Sequence, residues 1–236
     1  MLKKNLDIVL ANIDRALARR RGRLLTGDVV KLIAVTKNHP VQALEAVKAL
    51  GVVDIGENRV QEAKQKKEAM PEGFCWHLLG HLQTNKVKQA VSTFDIIESA
   101  DSEKVLTAIN NAAQQQEKVQ DVLLQLNIAC ELQKNGFSQE AYEQLMPILK
   151  TFENIRVRGL MVIAQKCDDT EETRPVFRKG YLEFVRLREY LSSGAVDTLS
   201  MGMTHDYRVA VEEGANSVRI GTALFGERNY GKAKEE

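Results

Sequence analysis

The apolar residues of this chain fall into eight short runs, each followed by a longer stretch in which apolar positions recur every three or four residues. Short β-branched runs predict strands, and the longer periodicity predicts amphipathic helices. We predict strands over residues 29–35, 52–55, 76–79, 94–99, 122–128, 157–164, 198–201 and 217–220. Helices are predicted over 40–50, 59–69, 85–91, 101–116, 138–150, 175–191 and 207–213, with a short turn at 223–225 and an amphipathic helix at the N-terminus. Asp101 and Ser138 are the predicted N-caps.

The regular alternation of strand and helix predicts right-handed βαβ units and a parallel sheet. Eight such units close an α/β barrel of the (β/α)8 TIM type, and an open doubly wound sheet is the alternative. No Pro/Gly/Ser-rich linker divides the chain. We therefore expect one domain over residues 1–236, with an N-terminal helix and lead-in (1–28), the barrel (29–226) and a tail (227–236).

Charge is balanced, with 33 Lys+Arg against 32 Asp+Glu and a net charge of +1. This balance provides no field that would attract nucleic acid or an anionic membrane. The basic cluster Arg19, Arg20, Arg21 and Arg23 is interpreted as a last helical turn, where cations complement the helix dipole. Residues 57–67 are interpreted as a mostly solvated helix face.

The cysteines and histidines predict no metal site. Cys75, Cys130 and Cys167 lie far apart without a CxxC pair, as expected for reduced thiols in a cytoplasmic protein. His77 and His81 have the i,i+4 spacing of a metalloprotease helix, but no Glu follows His77 and the segment is predicted to be a strand.

Barrels of this type carry their functional residues at the C-terminal ends of the strands. Lys37 ends the first predicted strand, where partial desolvation would favour the neutral amine. A neutral amine forms a Schiff base with an aldehyde. Position alone favours an exposed lysine at the start of a loop, so other residues of the mouth must decide.

Two segments at the same end predict a phosphate site. The seventh strand ends in Ser200-Met-Gly-Met-Thr204 and the eighth in Arg219-Ile-Gly-Thr-Ala223. Each supplies a hydroxyl and a glycine whose backbone N–H can approach an anion closely. Turn geometry alone would also explain Gly202 and Gly221.

A Schiff-base lysine beside a phosphate site indicates a phosphorylated aldehyde, either pyridoxal 5′-phosphate or the sugar-phosphate substrate of an aldolase. Arg219 favours pyridoxal phosphate, because Asp or Arg faces the pyridine nitrogen in such sites. A rim ion pair between Arg219 and a strand-end carboxylate is the alternative.

Six short segments together resemble the YggS/PROSC family, the pyridoxal phosphate homeostasis proteins, and they span nearly the whole chain. His81 stands where many relatives have proline. The segments are Leu32-Ile-Ala-Val-Thr-Lys37, Ile55-Gly-Glu-Asn58 with Val60-Gln-Glu62, Trp76-His-Leu-Leu-Gly80 with Leu82-Gln-Thr-Asn-Lys86, Arg158-Gly-Leu-Met161, Leu199-Ser-Met-Gly-Met203 and Val218-Arg-Ile-Gly-Thr-Ala-Leu-Phe-Gly226.

The resemblance implies a barrel like that of alanine racemase and eukaryotic-type ornithine decarboxylase, with pyridoxal 5′-phosphate held on Lys37 as an internal aldimine. It implies that Arg219 faces the pyridine nitrogen and that Asn58 and Met161 lie near the cofactor. The residues implied to hold the phosphate are Ser200, Gly202, Gly221 and Thr222.

The predicted function is intracellular homeostasis of pyridoxal phosphate, a form of vitamin B6, by buffering, protection and delivery to apo-enzymes, with no catalytic residue. About ten residues follow Gly226, too few for the second domain that brings a catalytic tyrosine to alanine racemase. Tyr207 and Tyr230 are candidates for that role by location only. A racemase-like enzyme and, with less support, a Schiff-base aldolase are the alternatives. We expect a monomer without nucleic-acid or membrane partners.

Overall fold

Eight parallel strands close into a barrel in chain order, β1 to β8. The structure is a computed structural model that describes residues 1–21, 24–129, 135–192 and 194–226. The predicted (β/α)8 barrel is confirmed, and the open-sheet alternative is wrong because β1 pairs with β8. The strands are β1 Lys31–Val35, β2 Asp54–Glu57, β3 Cys75–Leu78, β4 Ile96–Ala100, β5 Gln120–Leu126, β6 Ile155–Val162, β7 Thr198–Met201 and β8 Ser217–Ile220.

A helix follows each strand, as the periodicity predicts. The α-helices are α1 Leu2–Ala18, α2 Gln42–Lys48, α3 Val60–Ala69, α4 Val87–Thr93, α5 Glu103–Gln115, α6 Gln139–Leu145, α7 Arg174–Leu191, α8 Tyr207–Glu212 and α9 Thr222–Phe225. Short 3-10 helices at Thr84–Lys86, Met146–Thr151 and Thr170–Thr173 adjoin α4, α6 and α7. Among the described helices, none is long and apolar enough to cross a membrane. The predicted sites Arg23, Cys130 and Tyr230 lie outside the described residues.

One predicted helix cap is wrong and one is confirmed. Helix α5 is capped by Ser102, whose Oγ accepts the N–H of Val105 at 3.4 Å. The predicted cap, Asp101, instead bonds Nδ1 of His81 at 2.7 Å. Ser138 caps α6 as predicted. Helix α6 also ends earlier than residue 150, because Pro147 has no N–H to continue the α-helical pattern.

Arg20 of the N-terminal basic cluster serves tertiary contacts rather than a last helical turn. Helix α1 ends at Ala18, before the cluster. The Arg20 guanidinium donates to the carbonyls of Val211 at 2.8 Å and Ala215 at 2.7 Å. Arg20 therefore fastens the segment after α1 to the end of α8 and the start of the next loop.

Side chains of the barrel strands alternate between two cores, as the strand geometry requires. Outward residues such as Leu32 and Ala34 of β1 pack in the large cluster beneath the helices. Inward residues form a smaller cluster within the barrel: Ile33, Val35, Leu79, Leu123 and Met161. Polar inward side chains, among them His77, Glu98 and Ser200, fill the rest of the interior.

A β-bulge shapes the pairing of β5 with β6. Val122 pairs with Val157, but the next residue, Leu123, pairs with Gly159, so that Arg158 is the extra residue. Gly159 has a φ of 147°, and a Cβ there would collide with the carbonyl oxygen of Thr198.

Substituting Gly159 with Ala should therefore lower the free energy of unfolding by about 2–4 kcal/mol, through backbone strain and overpacking. Urea unfolding measures the change. Gly194→Ala is the control, because a Cβ at Gly194 meets no atom within 4 Å. Equal small effects of the two substitutions would contradict this account of the bulge.

Candidate functional site

A cavity of about 310 Å³ opens at the C-terminal ends of the strands. This volume is at the lower end of small-molecule sites. Most of the predicted site residues line it: Lys37, Asn58, Met161, Arg219, Gly221 and Thr222. The remaining lining residues are Val35, Leu79, Ile163, Met203, Thr204 and His205. Val35 and Leu79 were not predicted to line the site. Side chains alternate between the two faces of a strand, and this alternation could have indicated that both residues point into the barrel.

A second cavity, of about 650 Å³, lies between α1, α7 and α8, away from the strand ends. Its arginines are largely matched by carboxylates. Arg174 bonds Glu171 and Glu213, and Arg178 bonds Glu213 as well. The smaller cavity is the better candidate, because it combines the predicted residues with an apolar wall.

Two predicted phosphate residues, Ser200 and Gly202, do not line the cavity. Ser200 is fully buried, and its hydroxyl donates to Oε2 of Glu98 at 2.6 Å. Gly202 has a φ of 90°, and a Cβ there would lie 2.6 Å from Cα of Tyr207. Both residues thus have structural tasks, and their contact with a phosphate stays a prediction.

Lys37 is half-buried directly beyond β1, in a segment that α3 holds on both sides. The ammonium of Lys66 donates to the carbonyl of Thr36 at 2.7 Å and to Oε1 of Glu62 at 2.8 Å. The same Oε1 accepts the N–H of Asn38, whose φ is 60°. The peptide groups before and after Lys37 are therefore fixed by one ion pair.

The prediction of a solvated face over residues 57–67 is wrong at Lys66, which is only 5% exposed. Lys66 also donates to Oε1 of Glu57 at 2.7 Å, and Thr36 Oγ1 donates to that oxygen at 2.6 Å. Burial nevertheless raises the pKa of Glu57. The spacing of Val60, Ala63 and Lys66 along one side of α3 was the available signal.

Close packing of two strand ends places Asn58 at the cavity. A Cβ at position 80 would collide with the carbonyl oxygen of Asn58, so only glycine fits at this position, two residues after β3. Ser99 Oγ donates to the carbonyl of Gly80 at 2.6 Å and fixes this close approach from β4.

Arg219 enters the cavity from within the barrel rather than from its rim. Its guanidinium donates to Ser200 Oγ at 2.7 Å and to the carbonyl of Val162 at 2.9 Å, and the residue is 3% exposed. Burial lowers the pKa of Arg219, against the opposing charges of Glu98 and Asp206. The rim ion pair that was the alternative is not the arrangement found.

Deeper in the barrel, His77 lies between two carboxylates. Its Nδ1 is 2.8 Å from Oε1 of Glu98, and its Nε2 is 3.0 Å from Oδ1 of Asp54. Burial lowers the pKa of His77, but the bonds to Asp54, Cys75 and Glu98 outweigh burial and raise this pKa well above its ordinary value. His77 is therefore a charged imidazolium with both N–H groups donating.

Within the described residues, Asp54, Cys75 and His77 bring three possible metal-ligand atoms within 4.8 Å of one another. Oδ1 of Asp54 already accepts bonds from His77 and, at 3.1 Å, from the ammonium of Lys31. Two cationic donors on one carboxylate oxygen compete with a metal ion. The cluster is accordingly better described as an ion pair than as a metal centre.

The chain matches the family model for the N-terminal domain of alanine racemase over residues 8–229. It is 39% identical over 229 residues to the pyridoxal phosphate homeostasis protein of Aquifex aeolicus, covering 96% of this chain and 98% of that protein. The chain belongs to the pyridoxal phosphate homeostasis protein family. The Escherichia coli (strain K12) member is 33% identical over 221 residues, 92% of this chain and 93% of its own length. The resemblance of the six sequence segments is thereby confirmed.

Solved structures agree with the family and the fold. PipY of Synechococcus elongatus PCC7942, solved with PLP bound, superposes with a TM-score of 0.81 at 32% identity, covering 96% of this chain and 100% of PipY. Alanine racemase of Clostridium difficile 630 has a TM-score of 0.69 at 16% identity and covers 97% of this chain. This chain covers only 57% of that racemase, and the likeness shows the shared barrel fold.

Replacing Lys66 with Met should lower the free energy of unfolding by about 3 kcal/mol, because it leaves the buried Glu57 carboxylate without the cation that pairs with it. Chemical denaturation measures this loss. Lys64→Met, on the exposed side of α3 where Lys64 pairs with Glu68, should cost under about 1 kcal/mol. A loss at Lys66 no larger than at Lys64 would contradict the assigned role.

Charged His77 should make stability fall as the pH rises. Below about pH 6.5, the ordinary pKa of histidine, folded and unfolded chains both hold the proton, whereas above it only the folded chain does. The free energy of unfolding should then decrease by at most about 1.4 kcal/mol per pH unit until the raised pKa is passed. Asp54 and Glu98 have lowered pKa values and stay ionised over this range.

Urea unfolding of the wild type and His77→Gln at about pH 6, 7 and 8 would test this dependence. We expect the slope to flatten in the variant. A wild-type stability that stays level, or identical slopes in both proteins, would show that His77 is neutral in the fold.

Proposed function

We propose that this chain binds pyridoxal 5′-phosphate in the cavity at the barrel mouth, covalently through Lys37, and acts in intracellular homeostasis of that cofactor. The observation that carries the proposal is the convergence of Lys37, Arg219, Gly221 and Thr222 on one cavity from the first and last strands. Membership of the homeostasis family and the likeness to PLP-bound PipY support it.

The lining residues fit the chemistry of this ligand. The Lys37 amine supplies the nucleophile for the aldehyde, and Arg219 supplies a permanently charged donor for the pyridine nitrogen. Gly221 and Thr222 offer a backbone N–H and a hydroxyl for the phosphate. Asn58 and Met161 form the flanking walls, as the family resemblance implies. Bound pyridoxal phosphate supplies an electron sink, which an arginine at the ring nitrogen weakens.

The same geometry favours storage and delivery to apo-enzymes over racemisation. A racemase needs an acid–base group on each side of the bound substrate, and Lys37 provides one. Tyr207, a candidate for the other, is 4% exposed and accepts a bond from Asn12 of α1 at 2.8 Å. It is not among the residues that line the cavity. Buried Tyr207 thus favours a carrier over a racemase. The balanced charge of the chain supports a carrier without nucleic-acid or membrane partners, and we propose that it is cytoplasmic and monomeric.

The test begins with the visible absorption spectrum of the purified protein after incubation with pyridoxal phosphate. Borohydride reduction of the C=N linkage should bleach the wild-type band and fix the cofactor on the peptide that contains Lys37, as determined by mass spectrometry. Lys37→Ala should lose that labelled peptide, because no amine remains at the position. Lys166→Ala is the matched control, since Lys166 is an exposed lysine beyond β6 at the same end of the barrel.

Three results would overturn parts of the proposal separately. Absence of a visible band would refute cofactor binding and bring the aldolase alternative forward. A wild-type label on a different lysine would refute the assignment of Lys37 alone. Turnover of alanine well above that of free pyridoxal phosphate would refute the carrier function and favour the racemase-like alternative.

A further inference from the structure

A continuous row of polar side chains crosses the barrel interior from the cavity to the opposite end. Arg219 donates to Ser200 Oγ at 2.7 Å, and Ser200 donates to Oε2 of Glu98 at 2.6 Å. The other oxygen of Glu98 is 2.8 Å from His77, which in turn bonds Asp54 at 3.0 Å. Members of this row come from five different strands, and four of them are buried.

The row is an alternating sequence of charges. Arg219 is positive, Glu98 negative, His77 positive and Asp54 negative, and the neutral hydroxyl of Ser200 joins the first two. Burial opposes ionisation of Glu98, but His77, Arg219 and Ser200 outweigh it and lower the pKa of this carboxyl. Asp206, beyond β7, is the other carboxylate whose charge acts on Arg219.

We propose that Glu98, held by His77, is a positioning residue that fixes the Arg219 guanidinium through Ser200 and sets the electrostatic potential at the cavity. This inference rests on the proposed function, because its readout is the bound chromophore. Glu98 does not line the cavity, so it acts on the site through its bond to Ser200 and through its charge. Only the Ser200 hydroxyl separates this buried carboxylate from the guanidinium, so the carboxylate offsets part of the positive charge of Arg219, since interior charges are weakly screened.

Neutralising Glu98 should therefore make the potential at the cavity more positive. In this variant His77 loses the buried carboxylate that favours its protonation, and loss of the His77 proton would make the potential less positive again. His77 lies farther along the row from the cavity than Glu98, so this opposing change in the potential is the smaller of the two. A more positive potential disfavours the protonated, cationic form of the lysine–cofactor linkage. The pH midpoint of the bound chromophore in Glu98→Gln should shift downward by about 0.5–1 pH unit.

The experiment titrates the visible absorption of cofactor-loaded wild type, Glu98→Gln and Asp121→Asn. Asp121 is the matched control, a buried carboxylate that bonds Arg156 at 2.6 Å and Arg158 at 2.7 Å and does not line the cavity. Its neutralisation should lower the melting temperature but move the midpoint by under about 0.2 pH unit, because the two sites share no partner.

A folded Glu98→Gln protein with the wild-type midpoint would overturn the inference while leaving cofactor binding intact. A wild type without chromophore would overturn both this inference and the proposed function. If Glu98→Gln does not fold, Ser200→Ala is the variant that tests the inference, because it removes the hydroxyl that joins Arg219 to Glu98 and keeps the charges of both residues. We expect a smaller downward shift in Ser200→Ala, and an unchanged midpoint would refute the assigned role.

Discussion

The pairing of β1 with β8 is the constraint on which the site depends. Four residue pairs join the two strands in register, among them Ile33 with Arg219. This closure removes both sheet edges, and it brings the first and last strands of the chain side by side. Lys37 emerges two residues after β1, while Arg219 points into the same mouth from β8. Without closure, the amine and the guanidinium would stand at opposite edges of an open sheet.

The barrel interior divides its volume between apolar packing and charge. Five apolar side chains, from Ile33 to Met161, fill one part. The row from Arg219 to Asp54 fills another, at a desolvation cost that only well-matched partners offset. Each charged group of the row has at least one oppositely charged or hydrogen-bonding neighbour at 3.0 Å or less. The row thus gives the Arg219 guanidinium a hydrogen-bond acceptor inside the barrel, which the apolar cluster could not provide.

A second ion cluster acts outside the barrel wall and holds Lys37 through its backbone. Lys66 and Glu62 of α3 form hydrogen bonds to the peptide groups before and after Lys37. Glu57, at the end of β2, accepts a further bond from Lys66. Lys37 and Arg219, the two proposed ligand contacts, are therefore supported by separate charge networks.

The sequence by itself determined the order of elements, the barrel class and the positions of Lys37, Arg219, Gly221 and Thr222 at strand ends, because these follow from local periodicity and from the fixed geometry of βα units. Six short segments, in order along the chain, also sufficed to indicate the family. Only the tertiary structure decided that Ser200 is bonded within the barrel, that Lys66 is buried and that Ser102 rather than Asp101 caps α5. Those outcomes depend on partners from other strands and helices, such as Glu98 for Ser200 and Thr36 for Lys66, and a local pattern carries no information about which distant polar group will meet a side chain.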